Sequence, residues 1–323
     1  MAQLSMRHRI SPFIRWLDQI HDNERPIVGG KAANLAKLIQ GGFACPPGFC
    51  ITTEAFELYL ETSGLRKRIL TILQESSRSS IECASEISCA LQKVRLPEEV
   101  EAVAIEAYHE MERARGKSPV AVRSSALVED LESVSFAGQF DSFLGIISEN
   151  DLISGIKKCW ISLFNSRSIA YARRKCVRMP LAMAVVVQNL VKAITAGVMF
   201  TVHPVTLEQN LVVIEATFGL GDQLVSGRAS PDTYVLSKDD FTVVERNIVE
   251  KSTATIFDSD RGKLIERKVD PNLQNVPALN AHELVKLTQL GKQIEALFGK
   301  PQDIEWAQDD VIHTIQSRPI TVL

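Results

Sequence analysis

Lys31, Arg123, Glu305, Gln316 and Arg318 are the side chains whose types and settings point to chemistry. Lys31 opens a helical pattern, and a lysine near the positive end of a helix dipole is unfavourable unless an anion lies nearby. Arg123 stands in the strand-like run VAVRSS (120–125), where Val120, Ala121 and Val122 read as buried. A buried guanidinium requires a carboxylate or phosphate partner. Glu305 and Gln316 fall on two neighbouring strand patterns, so a carboxylate and an amide oxygen could converge on one cation, and oxygen ligands suit Mg²⁺. Arg318 follows Gln316 by two residues and shares its face of an extended strand. A cation beside two arginines and a lysine meets the needs of a triphosphate, whose chemistry rests on positioning and charge neutralisation. The plainer alternatives are a solvated lysine after a Gly-Gly turn for Lys31 and a structural ion pair for Arg123.

Two familiar phosphate motifs fail here. A P-loop would need Gly five residues before Gly30 and Ser or Thr after Lys31, where the chain has Arg25 and Ala32. A dinucleotide fingerprint starting at Gly219 and Gly221 would need a third Gly at Leu224. Gly219, Gly221 and Gly227 therefore read as turn glycines. The loop Ser135–Gln139 (SFAGQ) has little steric cover over its backbone N–H groups, as a phosphate-covering loop needs, but on its own the signal is weak.

The elements that must position these residues can be read from periodicity. Residues 31–40 form a helical pattern between Gly29-Gly30 and Gly41-Gly42. After the turn Cys45-Pro46-Pro47-Gly48, residues 49–52 read as a short strand, with Thr53 placed to cap a following helix, and residues 54–115 are helical. After the strand at 120–125, residues 135–146 read as a loop running into a second strand, and 151–178 return to helix. Apolar runs at 181–188, 196–202, 211–218 and 234–237 are strands. Asn280 and Glu283 announce a helix over 281–298, striped by Leu284, Leu287, Leu290, Ile294 and Leu297. Segments 303–307 and 311–319 pair around the polar turn Gln308-Asp309-Asp310. Near the N-terminus Ile10, Phe13, Ile14 and Leu17 share a helical face, so a helix is expected there rather than a transit peptide. The whole predicts an α+β chain divided near 188–192.

A length of 323 residues suggests about two domains. The net charge of −3 gives no global field to draw nucleic acid or an anionic membrane, so any anion site must be local. The basic run Arg167, Arg173, Arg174, Lys175 and Arg178 reads as a solvated helix face, or else as a dock for an acidic partner or anionic substrate. With Tyr171 alone among its basic residues, it has no interleaved aromatic platform of the kind that nucleic-acid binding needs. Six cysteines form no CxxC pair and are expected to be reduced thiols. Nothing reads as a secretory signal or a membrane span, and a cytoplasmic location is expected.

The stretches IVGGKAANLAKL, PPGFCITTEAF, VAVRSSALVEDLESVSFAGQFDSFLGI, VVVQNLV, GVMFTVHPVT, VIEATFGLGDQLVSGRASPDTYVL and QDIEW…IQSRPIT occur in that order across residues 27–321. Together they resemble the nucleotide-binding region of the phosphoenolpyruvate synthase, pyruvate phosphate dikinase and rifamycin phosphotransferase family. The resemblance implies a two-lobed ATP-grasp fold, with ATP held between an N-terminal lobe over 1–187 and a C-terminal lobe over 188–323. It implies that Lys31 and Arg123 contact phosphates, that Gly138 and Ser142 belong to the phosphate-covering loop, and that Gln188 and the backbone near Leu190 hold adenine. Glu305 and Gln316 would coordinate Mg²⁺, with Arg318 beside the phosphates.

Members of this family generally cleave ATP to AMP and phosphate, passing the middle phosphoryl group to a histidine on a mobile domain and then to a separate acceptor. Of the six histidines here, none has the Thr-Ser-His setting of that carrier. His203 lies in an ATP-lobe motif, which favours a structural or ligand-lining role. A partner bearing the phosphohistidine is therefore expected, together with an unidentified acceptor. Two alternatives stay open: a stand-alone kinase or ligase releasing ADP, and a non-catalytic nucleotide-responsive module.

Overall fold

The computed structural model describes residues 11–75, 77–127, 140–177, 179, 181–225 and 227–320. The chain divides into two compact units, one of residues 1–33 and 48–188, the other of residues 34–47 and 189–323.

The first unit carries a five-stranded sheet in the order β1-β2-β5-β3-β4, formed by β1 (Ile14–Trp16), β2 (Gly48–Ile51), β3 (Val120–Ala126), β4 (Ser142–Ile146) and β5 (Met183–Asn189). The helices are α1 (Arg25–Gln40), α2 (Thr53–Thr62), α3 (Arg66–Gln74), α4 (Ser80–Gln92), α5 (Glu98–Arg115), α6 (Glu149–Ser162) and α7 (Ser166–Lys175). The division between the units falls within α1. Phe49, Phe56, Tyr59, Trp160, Phe164 and Val185 meet in the core, with Trp160 5.3 Å from both Phe56 and Tyr59. The polar ends of these aromatics are satisfied: Trp160 Nε1 donates to Met183 O at 3.1 Å and Tyr59 Oη to Leu91 O at 2.6 Å.

The helix expected from Phe13, Ile14 and Leu17 is instead a strand, and Ile10 lies outside the described residues. Ile14 pairs with Ile51 and Trp16 with Phe49, whose rings meet edge to face at 5.7 Å. Three residues are too few for a period of 3.6 to be told from one of 2, and the exposed pairing edge of β2 decides the matter. The capping assignment also shifts by one. Thr52 is the N-cap of α2, and its hydroxyl donates to Pro12 O rather than to the helix.

Gly29 interrupts α1 with φ 77° and ψ 172°. A Cβ there would lie 2.1 Å from the carbonyl oxygen of Ser125. Ser125 Oγ donates to Val28 O and accepts from Ala32 N–H, so the turn before Lys31 is fixed to the end of β3. Gly29→Ala combines this overlap with a backbone region reserved for glycine, which alone costs about 1–3 kcal/mol. Denaturant unfolding should therefore show a loss of at least that size.

The second unit is built on a fully antiparallel six-stranded sheet in the order β13-β12-β6-β7-β8-β9. In chain order its elements are β6 (Thr195–Phe200), β7 (Leu211–Phe218), α8 (Asp222–Val225), β8 (Asp232–Ser237), β9 (Val243–Asn247), β10 (Thr253–Asp258), β11 (Lys263–Lys268), α9 (Ala281–Phe298), β12 (Gln302–Gln308) and β13 (Ile312–Pro319). The capping box of α9 is present, with Asn280 Oδ1 accepting from Glu283 N–H at 3.0 Å and Glu283 Oε2 from Asn280 N–H at 2.8 Å. Gly291 of α9 lies against Met199 and Thr201, where a Cβ would come within 2.9 Å of the Met199 sulfur. Residues 34–47 join this unit through Asn34 Nδ2 donating to Ser317 O and Thr314 N–H donating to Ala44 O.

The hairpin of β10 and β11 docks on the turn at Gly219, whose φ of 72° and closeness to Thr255 O leave no room for a side chain. Asp232, at the start of β8, is fully buried. Its Oδ1 accepts from Lys251 Nζ at 2.6 Å and from Val249 N–H, and its Oδ2 accepts from Ala278 N–H and Tyr234 Oη.

Candidate functional site

In the first unit, Lys31 and Arg123 are both 7% exposed. Lys31 begins the helical run after the Gly29 break, held against β3 by Ser125. Arg123 lies in β3, where every residue is buried, and pairs in register with Ser142 of β4. The fold thus places Arg123 opposite Ser142 and brings the Lys31 turn to the same strand. Gly138 and the 135–139 loop lie outside the described residues. Gln188 is buried at the end of β5, opposite Gly48, where a Cβ would stand 2.2 Å from Val187 O. Leu190 follows two residues later, in the second unit.

In the second unit, Glu305 of β12 is the direct cross-strand partner of Gln316 of β13, and Asp303 is that of Arg318. Directly opposed residues of an antiparallel pair share a face, and residues two apart along a strand share it too, so all four sit together. A register shift after Glu305 ends this alignment at Trp306. Arg318 is oriented by Asp303, with Nη2 at 2.6 Å and Nε at 2.8 Å from Oδ2. Burial pushes the Asp303 carboxyl up from its ordinary range, Arg318 pulls it back down, and the nearby Glu305 adds a push upward. Gln316 Oε1 is buried without a hydrogen-bond partner among the described residues. An acceptor without a donor, opposite a carboxylate, fits an oxygen-bound cation. Among the described residues no three His, Cys, Asp or Glu side chains form a cage for a metal ion. Mg²⁺ needs none, because it is commonly held by one or two carboxylates with phosphate and water completing its shell.

Sequence reasoning missed Asp303 and Glu215. Asp303 could have been found from the i, i+2 spacing of Asp303 and Glu305. Glu215 stands alone in the apolar run LVVIEATF of β7, a setting that by itself marks it. Its carboxyl is pushed up by burial and then by the charge of Asp303.

Other expected features resolve into structural roles. His203 Nδ1 accepts from the backbone N–H groups of Val205 and Thr206 at 3.3 and 3.1 Å, fixing the turn after β6. Arg173 of the basic run donates to Arg78 O and Glu75 O, tying α7 to the connection between α3 and α4. Arg174 stacks on Tyr171, and Arg178 lies outside the described residues. All six cysteines are free. No helix among the described residues is long and apolar enough to cross a membrane.

The chain belongs to the family described as pyruvate phosphate dikinase, AMP/ATP-binding domain, which it matches over residues 25–323. Its relatives include a probable phosphoenolpyruvate synthase of Archaeoglobus fulgidus, 38% identical, with 96% of this chain and 42% of the relative covered. The corresponding protein of Staphylothermus marinus is 36% identical, covering 96% and 41%. The phosphoenolpyruvate synthase of Aeropyrum pernix is 35% identical, covering 96% and 42%. The chain thus spans about two-fifths of the length of these relatives. Among solved structures, D-alanyl-alanine synthetase A of Vibrio cholerae aligns at 8% identity with a TM-score of 0.31, over 74% of this chain and 54% of its own.

Proposed function

We propose that the chain is the ATP-binding part of a dikinase-type phosphotransferase, in which ATP yields AMP and phosphate while the middle phosphoryl group passes to a histidine on another domain or protein. The observation that carries this reading is the β12–β13 pair, which aligns Glu305 with Gln316 and Asp303 with Arg318 in a chain of the AMP/ATP-binding family. Lys31 and Arg123 bind phosphate oxygens, Gln188 and the backbone near Leu190 hold adenine, Gly138 belongs to the phosphate-covering loop, and Ser142, at the start of β4 opposite Arg123, adds its hydroxyl to the phosphate site. Arg318, oriented by Asp303, adds positive charge to the phosphates. Glu305 and Gln316 would hold Mg²⁺, which when bound supplies further charge neutralisation. The finer reading of the fold, an ATP-grasp clamp over 1–187 and 188–323, belongs to the same proposal, as does a cytoplasmic location.

The names of the relatives suggest pyruvate as the eventual acceptor. Incubating ATP, Mg²⁺ and this chain with the histidine-bearing domain of a phosphoenolpyruvate synthase should yield AMP and orthophosphate in equal amounts. ADP without AMP would replace this reading with a single-phosphoryl kinase or ligase. Mg-ATP should also raise the melting temperature. A ligand that binds only the folded state at a hundredfold excess over its Kd stabilises by about 2.7 kcal/mol. An unchanged melting curve at millimolar Mg-ATP would contradict binding.

A further inference from the structure

The face that carries Glu305 and Gln316 continues across the sheet. Glu305 is aligned with Val198 of β6, and Val198 with Glu215 of β7, so Gln316, Glu305, Val198 and Glu215 form one row over four adjacent strands. Strands lie about 4.8 Å apart, which puts the backbones of Glu305 and Glu215 about 10 Å apart, with the two carboxylate arms flanking one valine. Lysine or arginine would ordinarily neutralise a half-buried carboxylate in mid-sheet. The Glu215 carboxylate forms no ion pair or hydrogen bond among the described residues, and the charge that acts on it is that of another acid, Asp303. Arg318 is already engaged by Asp303. At the other end of the row, the Gln316 oxygen is buried and equally without a donor. An acceptor at each end of Glu305, neither supplied with a proton donor, is an arrangement completed by cations.

We propose that Glu215 is a further cation ligand of this face, direct or through one water, holding a divalent ion with Glu305 across Val198. This inference rests on the nucleotide-site reading above, because among the described residues no three carboxylates cage an ion and phosphate oxygens must complete its shell. A hard, oxygen-seeking ion such as Mg²⁺ or Mn²⁺ suits the donor set.

The test counts Mn²⁺ by electron paramagnetic resonance in the presence of saturating adenylyl imidodiphosphate, for wild type, Glu215→Gln and Glu215→Ala. Wild type should show two classes of bound Mn²⁺. Both variants should retain the tighter class and lose about 10–100-fold in affinity for the weaker, the range seen when a metal's supporting ligand is removed. Using two variants of different size keeps a packing fault in one from imitating a lost ligand. In EDTA, Glu215→Gln should melt no lower than wild type, since it removes a like charge beside Asp303. Identical Mn²⁺ isotherms in wild type and both variants, or a single class in wild type, would overturn the role of Glu215 and leave the nucleotide site standing. A wild-type chain that binds neither the analogue nor Mn²⁺ would overturn the nucleotide site itself.

Discussion

Arg123→Ala and Glu305→Ala should each lower ATP turnover, assayed with the histidine-bearing partner, by about 10²–10³-fold, the scale found when one preorganised charge-stabilising group is removed from an active site. The two losses have different origins. Arg123 is buried in β3 with its register fixed by Ser142, so its truncation removes a positive charge whose position the strand determines. Glu305→Ala leaves Gln316 Oε1 buried opposite a methyl group and removes the only carboxylate directly paired with it. Raised Mg²⁺ should restore part of the activity of Glu305→Ala and none of that of Arg123→Ala. Wild-type turnover in either variant would sink the assignment of that residue.

The second large effect concerns stability. Asp232→Ala should destabilise the second unit by about 3–5 kcal/mol, because it leaves Lys251 as a buried cation without its partner. The side chains of both are essentially inaccessible, at 0% and 1% exposure. Asp232 also accepts from Val249 and Ala278 N–H, so its loss frees two backbone donors in the segment that carries the β10–β11 hairpin. Urea unfolding should show the midpoint falling accordingly, and the hairpin amides should exchange faster than those of β12. A variant as stable as wild type would mean that water enters and solvates Lys251.

Much of the site-bearing scaffold was legible because the relevant elements are long or strongly punctuated. β3 announces itself by an apolar run, α9 by its capping box, and β12–β13 by a polar turn between two strand patterns. Glu305 and Gln316 were legible as partners because the turn between them sets the register. The β1 strand was hidden: Phe13, Ile14 and Leu17 satisfy a helical stripe as well as they satisfy pairing with β2. The strands β9, β10 and β11 were hidden because β9 is exposed along its length and the hairpin buries little, so neither shows a clean alternation. Asp303 and Glu215 escaped notice for another reason. The i, i+2 spacing of Asp303 and Glu305 and the lone acid in LVVIEATF flag them locally, but what joins them to Glu305 and Gln316 is cross-strand alignment over β12, β6 and β7, which no local spacing shows. The attachment of residues 34–47 to the second unit is likewise a product of long-range bonds, from Asn34 to Ser317 and from Thr314 to Ala44.

The most direct measurement of the central claim is a calorimetric titration of ATP into the chain with Mg²⁺ and with EDTA. The account predicts one ATP per chain, bound at least about tenfold more weakly without Mg²⁺, a difference of about 1.4 kcal/mol. It also predicts that Glu305→Ala abolishes most of that metal dependence. Absence of ATP binding, or binding equally tight with and without Mg²⁺ in wild type and Glu305→Ala alike, would contradict it.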